Sequence, residues 1–114
     1  MAECLFCRIA QHSIPATIIA EDDELLAFQD IKPQAPVHWL VIPKVHIASL
    51  ADVTPAQAAL VGRMGMFASQ LAKTHGLLPD GFRFVINCGP LAGQTVWHLH
   101  GHVLGGRSLQ WPPG

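Results

Sequence analysis

Apolar and polar positions run in short blocks along most of the chain, and a three-to-four-residue period takes over only once. The blocks Ile18-Ile19-Ala20 and Leu25 to Asp30, parted by Asp22-Asp23, predict a hairpin. His38 to Ile42, Phe82 to Cys88 and Val96 to Leu104 predict three further strands. Between them Leu60, Met64, Phe67 and Leu71 recur at helical spacing and form one apolar face. That helix has a start signal at Thr54-Pro55 and a terminator at Gly76. Gly62 and Gly65 inside it each cost on the order of 1 kcal/mol relative to alanine, which points to another backbone passing close by, across a dimer axis for example. Cys4 to Gln11 reads as a short helix with Leu5, Ile9 and Phe6 facing inward, closed by Ser13-Ile14-Pro15. Lys32-Pro33-Gln34-Ala35-Pro36 is a stiff loop, and the tail Gln110-Trp-Pro-Pro-Gly114 is too rich in proline for regular structure. The expected fold is α+β: an antiparallel sheet of about five strands, one long helix on a face of it, and a short N-terminal helix.

Length and composition narrow the classes. A chain of 114 residues reads as one domain, residues 1–114, large enough to build a core without obligatory disulfides. Half the residues are hydrophobic and 13% are charged, which excludes a disordered tail. A net charge of −1 offers no field for DNA or RNA, so no nucleic-acid partner is expected. No stretch reaches membrane-spanning length, and an acid stands at the N-terminus where a secretory leader would be basic. With three cysteines, an odd number, the expected compartment is the cytoplasm.

Candidate chemistry lies in Thr95-Val-Trp-His-Leu-His-Gly-His-Val-Leu-Gly-Gly-Arg107. On a strand, His98, His100 and His102 leave by one face roughly 7 Å apart, while Trp97, Leu99, Gly101 and Val103 face a core. One such histidine is ordinarily filler in a half-buried strand; three in register point to chemistry. A neutral imidazole is a competent nucleophile near pH 7. Cys4-x-x-Cys7 supplies half of a tetrahedral metal site, with unmetallated thiols or a redox pair as the competing readings.

His98-Leu-His-Gly-His102-Val-Leu resembles the signature of the histidine triad superfamily of nucleotide hydrolases and transferases, with Gly101 in a slot that is usually bulkier, which is expected to weaken the strand's rear packing. The likeness extends to Phe28-Gln-Asp30-Ile, Pro33-Gln-Ala-Pro36, His38 through His46, Asn87 and Gly93-Gln94-Thr95. Gly105-Gly106-Arg107 and Trp111-Pro-Pro-Gly114 are similar to the Hint branch, the nucleoside phosphoramidate hydrolases. The resemblance implies His100 as nucleophile on the α-phosphorus, giving a nucleotidyl-histidine. It implies His102 as a donor to phosphate oxygens, where glutamine would mark the transferases, and His38 as the residue orienting the triad. Thr95 would stand near phosphate and leaving amine, and the backbone N–H groups of Gly93 and Gln94 would meet the developing charge. Asn87 would hold the phosphate or the loop, or simply stabilise a turn. Asp30 would bind the ribose diol, against the plainer reading of a turn aspartate. Leu5, Phe6, Ile9, Phe28 and Ile31 would form an apolar slot for a purine, each of them open to a core role instead. The metal implied is a structural zinc on Cys4, Cys7, His46 and His98, with no catalytic metal. A homodimer with joined sheets is implied as well, Trp111 reaching the partner's cleft.

The expected activity is hydrolysis of purine nucleoside phosphoramidates. The rivals are hydrolysis of dinucleoside polyphosphates, a zinc-stabilised nucleotide-binding regulator with little turnover, and a three-histidine catalytic zinc centre.

Overall fold

The computed structural model describes residues 4–114; Glu3, the acid where a secretory leader would be basic, lies outside them. In chain order the elements are α1 (Leu5–Ala10), β1 (Ile18–Glu21), β2 (Leu25–Gln29), β3 (Val37–Pro43), α2 (Ala58–Thr74), β4 (Phe82–Val85) and β5 (Gly101–Gly105). The strands form one five-stranded antiparallel sheet in the order β1-β2-β3-β5-β4.

The central strands are apolar on both sides because both sides are covered. Along β2 and β3 the side chains alternate: Leu25, Ala27, Trp39 and Val41 join the core that includes Leu60, Met64, Ala68 and Leu71 of α2. Leu26, Phe28, Leu40 and Ile42 pack instead with Phe6, Ile9 and Ala10 of α1. A period of two therefore hides inside an unbroken hydrophobic run.

The end signals of the long helix act as expected. The Thr54 N–H donates to Gln57 Oε1 (3.0 Å) in a capping box around Pro55, and one turn of 3-10 geometry leads into α2. At the other end Gly76 takes φ +78°, which lets the Leu77 N–H close back onto the Ala72 carbonyl at 2.8 Å. Gly62 and Gly65 meet nothing: among the described residues no atom lies within 4 Å of where a Cβ would stand, so no other part of the chain approaches them.

Five local expectations need correction. The histidine segment pairs as a strand only over Gly101–Gly105, because upstream the Leu99 N–H is taken by the Ile47 carbonyl (2.6 Å) and not by the sheet. β4 is correspondingly short, ending at Val85 opposite His102. Leu5 is 49% exposed, the inward face of α1 being Phe6, Cys7, Ile9 and Ala10, and Trp97 is 48% exposed while Leu99 and Val103 are buried. Gly101 does not leave the rear of β5 poorly packed: the Phe84 ring fills the space, with two ring carbons 2.4 Å from where a Cβ would sit.

Candidate functional site

Two groups of side chains meet on the α1 side of the sheet. The first is built on the start of α1. Cys4 is its N-cap, the Cys7 N–H donates to Cys4 Sγ at 3.3 Å, and the Cys-x-x-Cys spacing thereby turns both sulfurs to the same end of the helix. His46, just beyond β3, and His98, ahead of β5, complete the group. Cys4 Sγ lies 3.4 Å and Cys7 Sγ 3.5 Å from His98 Nδ1, Cys7 Sγ lies 3.3 Å from His46 Nδ1, and the two Nδ1 atoms are 3.3 Å apart.

Those separations fit one shared ion. Bonds of about 2.3 Å to sulfur and about 2.05 Å to nitrogen in tetrahedral geometry give edges of about 3.5 Å between S and N and about 3.3 Å between N and N. The protons are arranged for it too. His98 is fully buried and its Nε2–H donates to the Pro43 carbonyl (2.7 Å), which leaves Nδ1 as a lone pair facing the sulfurs. Burial lowers the pKa of His98 below the ordinary imidazole value, and burial, followed by the neighbouring Cys4, raises the Cys7 thiol to about 11. A divalent cation would reverse the second effect and hold the sulfurs as thiolates. With four ligands around it, the ion would have no open position for substrate.

Asp30, His38 and His102 form the second group, and their ligating atoms also lie close enough together to suggest a metal. Hydrogen placement decides otherwise. The Gln34 backbone N–H donates to His38 Nδ1 (3.0 Å), so the proton of the neutral ring sits on Nε2. That Nε2–H points at His102 Nδ1 (2.9 Å), with Asp30 Oδ2 3.4 Å away. His38 therefore offers its neighbours a hydrogen and not a lone pair. His102, accepting on Nδ1, carries its own proton on Nε2. Burial lowers both rings' pKa, with Asp30 opposing; His102, repelled also by His100 and His38, falls to about 4. Near pH 7 His38 and His102 are a neutral relay.

His100 stands between the groups and belongs to neither. Its Nδ1–H donates to the His98 carbonyl at 2.8 Å, which leaves Nε2 with a free lone pair. Phe6 packs edge-on against the ring at 5.2 Å between centroids, and the His102 ring is 5.0 Å away. The three triad histidines direct their lone pairs to different places: His98 toward sulfur, His102 toward His38, and His100 Nε2 to neither. They do not converge on one ion, as a three-histidine centre would require.

The remaining candidates divide. Ile9, Phe28, Asp30 and Ile31 line one cleft of about 640 Å³, within the range of small-molecule sites. Phe6 is buried beneath its neighbour Phe28, their rings T-shaped at 5.3 Å. Asp30 has a turn role as well, since Oδ1 accepts the Lys32 N–H at 2.7 Å. Leu5 does not join this cleft; it lines a separate apolar hollow with Thr95, Val96 and Trp97. The donors expected of Gly93 and Gln94 are committed inside their own loop, to the carbonyls of Pro90 and Gly89. The Gln94 side chain is buried and structural: it accepts the Gly89 N–H and donates to the carbonyls of Ala48 and Val96. Thr95 is exposed, as Gly93 is, and Asn87 is half-buried two residues beyond β4. Trp111 is 81% exposed at the sheet edge, where Arg83 donates to the adjacent Gln110 carbonyl (2.8 Å). Sequence reasoning missed the backbone groups of Pro43, His98 and Gln34 that fix the ring protons; no residue type announces them.

Comparison with known proteins agrees with this geometry. The model of the HIT domain matches residues 11–109. An uncharacterized HIT-like protein of Synechococcus elongatus is 53% identical over 112 residues, covering 98% of this chain and 97% of the relative. The crystal structure of a HIT family hydrolase from Legionella pneumophila superposes with a TM-score of 0.96 at 50% identity, over 98% of this chain and 100% of that one. A zinc-bound histidine triad family protein from Mycobacterium smegmatis gives a TM-score of 0.79 at 40% identity, over 93% and 76%. With its histidine row, its sheet and nearly its whole length accounted for in this way, the chain belongs to the HIT domain family.

Proposed function

We propose that the protein is a hydrolase of purine nucleoside phosphoramidates that works through a nucleotidyl group carried on His100. The observation that carries this reading is the position of one hydrogen: Nδ1–H of His100 is bound to the His98 carbonyl, which leaves Nε2 free to attack. In the reaction that lone pair forms a bond to the α-phosphorus as the P–N bond opens, and the leaving amine takes up a proton from solvent, which the later hydrolysis by water returns. The Nε2–H of His102, whose ring lies alongside, donates to a phosphoryl oxygen where charge gathers. Water then cleaves the P–Nε2 bond, releasing the nucleoside monophosphate and restoring the ring. The cleft at Ile9, Phe28 and Ile31 takes the base, and Asp30 the ribose diol. Thr95 and Asn87 are the polar groups left to meet phosphate and amine.

Cys4, Cys7, His46 and His98 hold a zinc ion in this reading. Its chemistry is structural: it fastens the start of α1 to the segment that carries His100. A homodimer suits the exposed Met66, the open Gly62 and Gly65 of α2, and the unpaired outer edge of β4. Three cysteines with no disulfide between them suit a reducing cytoplasm.

The test is steady-state turnover of an adenosine phosphoramidate beside a dinucleoside polyphosphate, for the native chain and for His100→Ala. The reading expects the phosphoramidate to be preferred and turnover to vanish in the variant. Preference for the polyphosphate, or turnover that survives in the variant, contradicts it.

A further inference from the structure

The Gly106-Arg107 pair that follows β5 has no part in the chemistry above, yet the structure gives it one. Gly106 adopts φ +86°, and a Cβ there would stand 2.9 Å from Pro36 Cβ, so the chain after β5 lies directly against the Lys32–Pro36 loop. At that contact Arg107 reaches across: Nη2 and Nε donate to the Gln34 carbonyl at 2.9 and 3.3 Å, and Nη1 donates to the Ser108 carbonyl at 3.0 Å. Gln34 is the residue whose N–H occupies His38 Nδ1. Its side chain also ties back to the Lys32 carbonyl (3.0 Å), and the Lys32 N–H holds Asp30.

We propose that Gly106 and Arg107 form a latch that sets the ring tautomers of His38 and His102, Arg107 being a positioning residue for the reaction. The inference rests on the reading that His102 donates from Nε2. With the Gln34 N–H in place, His38 can carry its proton only on Nε2 and must give it to His102 Nδ1. If the loop is released, the His38 proton can move to Nδ1. Two lone pairs then face each other across 2.9 Å, and His102 answers by shifting its own proton to Nδ1. His102 Nε2 is left without a hydrogen and cannot bind a phosphoryl oxygen as donor. A planar guanidinium holds the carbonyl with two donors that converge on one oxygen, which an ammonium does not reproduce. Asp30 hangs on the same loop, so nucleotide affinity changes along with the relay.

The test is 15N–1H NMR of the imidazoles in the metal-loaded protein, native and Arg107→Ala, beside steady-state kinetics with an adenosine phosphoramidate. In the native chain His38 and His102 both show the Nε2–H pattern. In Arg107→Ala the pattern becomes mixed at both rings, kcat falls roughly 10- to 100-fold, and added guanidinium ion restores both. Arg107→Lys recovers little, and it serves in place of the alanine variant should that one misfold. Unchanged tautomers in a folded Arg107 variant overturn the latch. A changed tautomer with unchanged turnover upholds the latch and overturns the donor role given to His102, so the two failures can be told apart.

Discussion

Two histidines on neighbouring strands or their approaches, His98 and His38, are both buried, both neutral and both set among potential metal ligands, and they do opposite things. His98 gives its Nε2–H to the Pro43 carbonyl and turns a lone pair toward Cys4 and Cys7. His38 receives the Gln34 N–H on its own Nδ1 and turns a hydrogen toward His102. Composition does not separate these groups; a backbone carbonyl in one case and a backbone N–H in the other does. A ring whose free atom is a lone pair can ligate, and one whose free atom is a hydrogen can only donate. Between them His100 uses a carbonyl in the manner of His98, and its Nε2 lone pair is the one that attacks phosphorus in the proposed reaction.

The comparison breaks most severely at His100. His100→Ala should lower kcat by at least roughly 10³-fold while metal content by mass spectrometry stays at the native level. A loss of metal in that variant would merge the two groups. His46→Ala is the converse: metal should be released and the melting temperature should fall. At free metal a thousandfold above Kd the lost stability is about 4 kcal/mol. A variant with native metal content and melting behaviour would remove His46 from the ligand set.

Acid sharpens the relay side. His102 has a native pKa of about 4, against roughly 6.5 for free imidazole. Between those values the unfolded chain binds the proton that the native chain refuses, so stability falls as pH drops from 6.5 toward 4. The total is on the order of 3 kcal/mol. Replacement by asparagine should flatten that slope in denaturant titrations run across this range; an unaltered slope would place the burial cost elsewhere. A smaller effect is expected at Gly101. Gly101→Ala pushes the Phe84 ring out of its seat and should cost about 1–3 kcal/mol. Adding Phe84→Leu should restore most of it, and additive losses in the double variant would show that the ring is not what fills the space.

Much of this was legible in the chain because it depends on local rules. Apolar blocks marked β2 and β3, the Thr54-Pro55 and Gly76 signals bounded the long helix, and the family resemblance pointed to Cys4, Cys7, His46 and His98, which the fold brings together. What escaped depends on partners distant in sequence. The upstream histidines leave the sheet because Leu99 binds Ile47, and Gly101 is packed because Phe84 crosses behind it. In α1, Leu5 and Phe6 are adjacent and equally apolar, and six residues are too few for a period to choose between them. The Gly93 and Gln94 donors looked available because the sequence does not show that the loop closes on itself. Ring tautomers were beyond reach for the same reason: each is set by a main-chain group, and every residue has those.

The most direct test is to locate the nucleotidyl group itself. The metal-loaded protein, incubated with an adenosine phosphoramidate and quenched during turnover, should gain the mass of one adenylyl group, and peptide mapping should place it on Nε2 of His100. An adduct on His98 or His102, or sustained turnover with no adduct in the native chain and none lost in His100→Ala, would contradict the division between a ring that binds metal and a ring that attacks phosphorus.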